Sequence, residues 1–387
     1  MRAAVTVLAI WCAGLGAAAQ FGKISVLFEG LAGQYAGVSP VALGLIVSVV
    51  GGVGLVFGTT AGLFVARIGP RRAIVGALVM GAAMSAVQSL GLSYPAMIAS
   101  RVVEGVSHLA IVVVGPTMIA GLAVERYRGL AMTLWSSFFG VTYALLALFA
   151  PGVIARFGPE GVFLGHALWM AGCAVVLALL LPTDPSAPAP QRRGVLAMHA
   201  RIYASPYLAA PAMGFFCYTF LYVAVLTLVP PEVPMAQRAM AAAGMPLISI
   251  LVSLTGGVWL LGRMSAVRVV QWGYVAAVPG FVLLALMWGQ GPGMVVGALW
   301  LSAALGGVQG ASFAAIPELN GSAEGRAQAA GAIAQLGNLG TTTGTPVLAA
   351  VLLGAGAWGV AGVAICACAL GVVLHAVQAR RRLTCRD

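Results

Sequence analysis

Twelve apolar stretches, each close to the length of a membrane-spanning helix, are the feature that most limits how this chain can fold. A helix of about 20 apolar residues crosses the hydrocarbon core of a bilayer. Short segments with Pro, Gly or charged residues separate the stretches. The sequence therefore predicts an all-α membrane protein with twelve transmembrane helices, near residues 4–28, 39–65, 72–91, 95–123, 129–154, 161–181, 206–229, 238–262, 268–289, 293–317, 327–353 and 356–379.

The composition favours a lipid environment. Hydrophobic residues make up 61% of the chain and charged residues only 7%, whereas a soluble domain has about 25% charged residues. The strand-like alternation of a membrane β-barrel is absent. The net charge of +11 resides mainly in short loops. Membrane topology therefore accounts for this charge better than nucleic-acid binding, which we do not expect.

The first stretch allows two interpretations. Met1 and Arg2, followed by an apolar run to Ala19, resemble a secretory signal peptide with a small-residue cleavage site before Gln20. The alternative is an uncleaved first helix, because the apolar run continues to Phe28. We favour the uncleaved helix, since its removal would leave an odd number of spans and break the internal repeat.

The basic residues are distributed asymmetrically between the two sides of the predicted helices. Cytoplasmic loops carry an excess of Lys and Arg. This pattern predicts a bacterial inner-membrane protein with both termini in the cytoplasm. Of the 20 Lys and Arg residues, those on the predicted cytoplasmic side are Arg2, Arg67, Arg71, Arg72, Arg126, Arg128, Arg192, Arg193, Arg201, Arg263, Arg268, Arg326, Arg380, Arg381, Arg382 and Arg386.

The two halves of the chain resemble each other. Arg67 and Arg72 after the second span have counterparts in Arg263 and Arg268 after the eighth. A Pro-rich, polar segment, typical of a linker, lies between the halves. Parallel repeats joined in this way are one plan that transporters use. We predict two pseudo-symmetric six-helix bundles, residues 1–181 and 205–387, joined by a cytoplasmic linker at 182–204.

The connection between the second and third spans reads GLFVARIGPRRAI, starting at residue 62. It resembles the pattern G-x-x-x-D-R-x-G-R-R/K-x-x-I/L of the major facilitator superfamily, with Ala66 in place of the usual Asp and Pro70 in place of one basic residue. In that family the arginines hold a cytoplasmic gate, and this loop has no carboxylate to pair with them. The residues that the resemblance assigns to gating are Gly62, Arg67, Gly69, Arg71 and Arg72.

The resemblance covers nearly the whole chain. The fourth span reads RVVEGVS from residue 101, similar to the family pattern R-x-x-Q-G-x-G. The fifth span lacks the G-P-x-x-G-G pattern of many proton-driven antiporters, which argues against a drug exporter. The resemblance implies secondary transport by alternating access, with the first and fourth helices lining the solute cavity.

Ionisable residues inside the predicted spans are the first candidates for a functional site. Each costs about 2.5–3.5 kcal/mol on insertion scales. Four stand out, Lys23 in the first span and Arg101, Glu104 and His108 in the fourth. The spacing i, i+3, i+7 places the last three on one helical face. Glu104 can pair with Arg101 locally or with Lys23.

Two cations and one acid leave a net positive site, which favours an anionic solute. We predict that Lys23 and Arg101 bind the solute and that Glu104, or His108, carries a coupling proton. The structural alternatives are a packed Arg101–Glu104 ion pair, a Lys23 side chain that snorkels to the surface, and a His108 that only satisfies a hydrogen bond.

The second half has no charged residue in the interior of its predicted spans, since Arg238 and Arg268 are the first residues of theirs. Polar side chains of the seventh, tenth and eleventh spans are the candidates for solute contact there. Aromatic residues in this set are as consistent with packing as with binding. The predicted solute-binding residues of this half are Tyr218, Gln309, Gln335 and Asn338.

The favoured function is secondary transport of a small, anionic solute, organic or inorganic, either active and coupled to protons as in a symporter or facilitated. The alternative is polyspecific drug/proton efflux, which would predict acids and aromatics rather than surplus cations. A sensor would need a soluble domain, and an enzyme is least favoured because no catalytic, metal or cofactor motif is present. We expect a monomer in the lipid bilayer that uses no cofactor and no metal.

Overall fold

A computed structural model describes residues 2–124, 131, 134–183 and 195–384, without the side chains at 2, 62, 63, 66, 195, 196, 198, 323 and 324. These residues form helices and short connections and contain no β-strand. Parts of two predictions lie outside the described residues. They are residues 184–194 of the linker and the basic residues Arg126, Arg128, Arg192, Arg193 and Arg386.

The first half contains six helical spans, and the second of them is made of three segments. A short helix, Phe28–Gln34, follows the first span. The spans are α1 (Arg2–Val26), α2 (Pro40–Ser48, Val50–Phe57 and Ala61–Ile68), α3 (Pro70–Gln88), α4 (Tyr94–Leu122), α5 (138–157) and α6 (159–180).

The second half contains six further spans. A short helix, Val195–Ala204, precedes them, and a π-helical turn, Ser253–Gly257, interrupts the second. The spans are α7 (Ala209–Glu232), α8 (Met235–Leu261), α9 (Ala266–Leu286), α10 (Gly291–Leu319), α11 (323–355) and α12 (357–384).

Eight of the described helices are long and apolar enough to cross a membrane, or nine if the bent pair in α2 counts as one span. Two of them, of 43 and 62 residues, are each broken at a glycine with positive φ, Gly158 and Gly356. At 1.5 Å per residue their lengths are roughly twice and three times the hydrocarbon thickness of about 30 Å. Each therefore supplies two spans. With α3, this gives the twelve predicted helices.

The chain separates into two compact units. Unit 1 comprises Met1–Val38 and Val49–Arg192, and unit 2 comprises Ser39–Ser48 and Arg193–Asp387. Helix α2 bends by 63° between Pro40–Ser48 and Val50–Phe57. Its first segment packs in unit 2, where Ser48 Oγ donates to the carbonyl of Thr342 at 2.9 Å. The later segments pack in unit 1.

Small residues let α1 pack closely within unit 1. A Cβ at Gly16 would lie 2.4 Å from Met170 Sδ, and one at Gly14 would lie 2.9 Å from the Trp135 ring. Ile10 is fully buried in the same core. Close approach of this kind requires residues without a side chain at the contact. As a result, the polar residues of α1 lie inside the bundle.

Glycines play the same part between α7 and α11 in unit 2. A Cβ at Gly340 would lie 2.5 Å from the carbonyl oxygen of Phe216, and one at Gly344 would lie 2.0 Å from that of Phe220. The small residues of α11 therefore let two helix backbones meet. Packing against α7 is therefore sufficient to explain why small residues recur along α11.

Candidate functional site

A network of buried polar side chains links four helices of unit 1. Lys23 comes from α1, Ser85 from α3, Glu104 from α4 and His166 from α6. All are buried, and Lys23 and Glu104 have no exposed surface. Because all four side chains are buried inside the bundle, the network lies in a low-dielectric interior.

Glu104 is the centre of this network. Its Oε1 accepts a hydrogen bond from Lys23 Nζ at 2.6 Å, and its Oε2 accepts one from Arg101 Nη1 at 2.5 Å. Gln88 Nε2 donates to the same Oε2 at 3.0 Å. The other acids that the structure describes in unit 1, Glu29 and Glu160, are exposed. Among the described residues of this unit, Glu104 is thus the one buried carboxylate, shared by two cations.

The ammonium group of Lys23 lies among three acceptors. Besides Glu104, it contacts Ser85 Oγ at 2.9 Å and His166 Nδ1 at 3.2 Å. It also lies over the ring of Phe163, 5.5 Å from the centroid. An ammonium has three N–H donors, and this arrangement offers a partner for each. The alternative in which Lys23 snorkels to the surface is therefore wrong.

The bonds of His166 define its tautomer. Its Nε2 is 3.0 Å from the carbonyl oxygen of Gly16, and a carbonyl can only accept, so Nε2 carries a hydrogen. Its Nδ1 lies 2.9 Å from Ser85 Oγ and 3.2 Å from the ammonium of Lys23. Because an ammonium can only donate, Nδ1 is the acceptor in that contact. His166 is therefore neutral, and Lys23, Arg101 and Glu104 together carry a formal charge of +1.

The sequence analysis did not predict three members of the network as site residues, namely Ser85, Gln88 and His166. His166 lies inside the sixth apolar stretch, so the criterion that selected Lys23 would also have found it. Ser85 and Gln88 are spaced i, i+3 on α3 and hence share a face. That spacing is a weak signal by itself.

His108 makes a structural contact between α4 and α1. Its Nδ1 is 3.0 Å from the carbonyl oxygen of Ala17 and so donates to it. Its ring meets the ring of Phe21 edge-on, with centroids 5.0 Å apart. Nearby, Gln20 Nε2 donates to Ser107 Oγ at 2.9 Å. The role of His108 in proton coupling stays a prediction.

The predicted gating segment forms the turn between α2 and α3. Gly69 has φ 95° and ψ 140°, a conformation that L side chains rarely adopt, so the turn requires glycine. Pro70 then begins α3. Arg71 Nη2 donates to the carbonyl of Ala178 at 2.8 Å. This carbonyl is one of the last in α6, which have no partner within their own helix.

The other residues of the predicted gate lie on α2 and at the start of α3. Arg67 and Arg72 are exposed. The structure does not describe the surroundings of positions 62 and 66. The predicted gating residue Gly62 and the replacement of the usual Asp by Ala66 therefore lie outside the described part. The assignment of these residues to gating stays a prediction.

In unit 2, Tyr218 lies in a stack of aromatic rings along α7. Its ring centroid is 5.2 Å from that of Phe215 and 4.9 Å from that of Tyr222. Tyr218 is buried. Both neighbours pack on it, which favours the packing interpretation. Gln309 on α10 is partly buried, and its predicted contact with solute stays a prediction.

Gln335 and Asn338 on α11 are both engaged within unit 2. Gln335 Oε1 accepts from the Tyr203 hydroxyl at 2.7 Å, and its Nε2 is 3.2 Å from His199 Nε2. Tyr203 and His199 belong to Val195–Ala204, so Gln335 holds that helix against α11. Asn338 Nδ2 donates to the carbonyl of Ala334 in its own helix at 2.7 Å. Solute binding by either residue stays a prediction.

Known proteins similar in sequence are membrane transporters. The sequence profile described as the Major Facilitator Superfamily matches residues 6–345. The inner membrane transport protein YajR of Escherichia coli (strain K12) is 26% identical over 212 residues, which are 54% of this chain and 44% of that protein. The chain therefore matches less than half the length of YajR.

Two solved structures share the fold. An inward-facing, unoccupied bacterial homologue of the human lysosomal transporter Spinster matches with a TM-score of 0.75 at 14% identity, covering 99% of this chain and 98% of that one. The human organic anion transporter MFSD10 (TETRAN) matches with a TM-score of 0.71 at 19% identity, covering 96% and 98%. The TM-scores show a common fold. The profile match over residues 6–345 shows that the chain belongs to the Major Facilitator Superfamily of membrane transporters.

Proposed function

We propose that this transporter moves a small, anionic solute across the bacterial inner membrane by alternating access, together with a proton. Lys23 and Arg101 would attract the solute, and Glu104 would carry the proton. The observation that supports this proposal is the charge balance of the network, two cations and one carboxylate without exposed surface.

The charge balance favours an anion because a buried surplus charge is unfavourable. Transfer of an ion from water into a protein interior costs several kcal/mol unless it is compensated. Glu104 neutralises one of the two cations. A bound carboxylate or oxyanion would neutralise the other, and the guanidinium of Arg101 offers a planar fork that fits such a group.

Because Glu104 is shared by two cations, its protonation would be coupled to binding of the anion. Protonation of Glu104 would remove the one negative charge and raise the formal charge of the network from +1 to +2. An anion would then bind more strongly, and by thermodynamic reciprocity the bound anion would favour protonation. Solute and proton would therefore move in the same direction, as in a symporter.

The comparisons are consistent with this proposal at the level of fold. One structural neighbour, MFSD10, is an organic anion transporter by name. Its likeness to this chain concerns the fold, so the anionic solute is supported by the network alone. We further propose a monomer with two six-helix bundles joined at 182–204 and both termini in the cytoplasm. Strong alkaline phosphatase activity of a fusion after Arg380 would contradict that orientation.

Ligand binding to the purified protein tests the solute class. The panel contains lactate, succinate, citrate, phosphate and sulfate as anions, glucose as a neutral solute, and ethidium as a lipophilic cation. We compare the unmodified protein with Arg101→Gln and with a matched control, Arg156→Gln, which removes the same charge from an exposed position of unit 1. Thermal stabilisation is the measurement.

We expect at least one anion to stabilise the unmodified protein and Arg156→Gln, and to lose that effect in Arg101→Gln. Stabilisation by ethidium that is equal in all three proteins would contradict the proposal. It would favour the alternative of polyspecific efflux.

A further inference from the structure

A cavity of about 170 Å³ lies within unit 1, at the end of the bundle that holds the α1–α2, α3–α4 and α5–α6 connections. Its walls are mostly apolar, with Gln34, Gln88 and Glu160 as polar members. The distribution of basic residues predicts that this end faces the outside. The cavity therefore leads from the outer surface toward the interior of the bundle.

The inner wall of this cavity touches the buried network. Gln88 lines the cavity, and its Nε2 donates to Glu104 Oε2 at 3.0 Å and to Ser100 Oγ at 3.1 Å. Phe163 also lines the cavity, and the ammonium of Lys23 lies over its ring. One side chain thus separates the cavity from the carboxylate, and one separates it from the ammonium.

Only the Nε2 atom of the Gln88 amide forms hydrogen bonds with described residues. Both hydrogens of its Nε2 are used, but its Oε1 is buried and has no hydrogen-bond partner among the described atoms. An unsatisfied buried carbonyl loses the hydrogen bonds that water would give it. Rotation of the side chain toward a hydrated cavity would satisfy Oε1 and uncover Glu104. In its present position, Gln88 therefore closes the cavity off from Glu104. The unsatisfied Oε1 favours the rotation that would open it.

We infer that this cavity holds water and forms a proton route from the outside to Glu104 through the interior of unit 1, with Gln88 as its gate. The inference rests on the proposed function, in which Glu104 carries the coupling proton. A hydronium ion in the cavity gives its proton to the carboxylate of Glu104 and remains as water.

The helix Phe28–Gln34 offers a matched pair of variants. Gly30 lines the cavity, whereas Gly33 is not among the lining residues. Both are exposed, and a Cβ added at either would meet no described atom within 4 Å. Gly30→Trp places an indole in the cavity, and Gly33→Trp adds the same side chain to the same helix outside it. Neither glycine has a positive φ.

Hydroxyl-radical footprinting of the purified protein, with mass spectrometry, detects water in the cavity. Met97 and Phe163 line the cavity but are buried from bulk solvent. We expect both to be oxidised at least tenfold faster than Phe281, a buried residue of unit 2. Gly30→Trp should remove that excess, and Gly33→Trp should retain it. Equal, slow oxidation of Met97, Phe163 and Phe281 would show a dry cavity and overturn the inference.

Two variants of Gln88 test the gate. Gln88→Ala opens the inner wall, and Gln88→Leu keeps its volume without the amide. Oxidation of His166 should rise at least tenfold in Gln88→Ala and stay at the unmodified rate in Gln88→Leu. No rise in Gln88→Ala would overturn the gate. Footprinting needs no solute, so its result does not depend on the proposed transport function. If the cavity is hydrated but the protein moves no protons, the proposed proton coupling is contradicted and the water-filled cavity is not.

Discussion

The sharing of one buried carboxylate by two cations predicts an unequal response to the loss of each charge. Glu104→Gln would leave Lys23 and Arg101 both buried and positive, with no acid among the described residues of the network. Lys23→Met would leave Arg101 and Glu104 as a one-to-one pair. The carboxylate should therefore contribute more to stability than the ammonium, although the two belong to the same 2.6 Å ion pair.

The expected magnitudes follow from the contacts. Removal of one partner from a buried ion pair costs about 3–5 kcal/mol, and we expect this loss in the free energy of unfolding for Glu104→Gln. Lys23→Met leaves Glu104 Oε1 without its donor, and an unsatisfied buried acceptor costs about 1–3 kcal/mol. His166 Nδ1 keeps a partner, because Ser85 Oγ lies 2.9 Å from it. The double variant retains one buried cation that has lost its carboxylate partner, that of Arg101. It should therefore be less destabilised than the sum of the single variants by about 0.5–3 kcal/mol.

Equilibrium unfolding in mixed detergent micelles, followed by tryptophan fluorescence and circular dichroism, measures these differences. Arg156→Gln, which removes an exposed charge, should change the free energy of unfolding by less than about 0.5 kcal/mol. Two results would refute the reasoning. One is a loss in Lys23→Met as large as that in Glu104→Gln, and the other is strict additivity in the double variant.

Close helix contacts and the α2–α3 turn lead to two further predictions. Gly306→Ala would place a Cβ 2.1 Å from the carbonyl oxygen of Ser249. This clash should lower the free energy of unfolding by about 1–3 kcal/mol. The neighbouring Gly307→Ala has open space for its Cβ and should not lower it. Gly69→Ala would force φ 95° on an L residue and should cost about 1–3 kcal/mol, while Gly76→Ala within α3 should be neutral or stabilising. The same unfolding assay checks both pairs, and equal losses within either pair would contradict the steric argument.

The positions of the twelve helices could be predicted from the sequence because span length depends on bilayer thickness and not on tertiary contacts. The amide of Ala42 donates to Ser39 Oγ at 3.3 Å, as expected of an N-cap before Pro40. The bend at Val49 was not predicted. No proline lies at the bend itself, which separates the segment Pro40–Ser48 in unit 2 from the segment Val50–Phe57 in unit 1.

The candidate site could be predicted only in part. The i, i+3 spacing on α4 was sufficient to predict the Arg101–Glu104 pair, since helical geometry brings these residues together. The pairing of Lys23 with Glu104 was one of two alternatives, and the structure contains both pairs. His166 could have been predicted as a candidate because it is an ionisable residue inside a span. Its proximity to Lys23, like that of Ser85, depends on how α6 and α3 pack against α1. No periodicity within a single helix encodes that packing.

The pH dependence of anion binding tests the central claim most directly. We would measure the dissociation constant of the stabilising anion by calorimetry between pH 5 and 8, for the unmodified protein and for Glu104→Gln. Lower pH should tighten binding to the unmodified protein, because protonation of Glu104 and anion binding favour each other. Glu104→Gln, which resembles the protonated acid, should bind tightly and equally at every pH. A Glu104→Gln variant that keeps the full pH dependence, or that no longer binds the anion at all, would contradict the account.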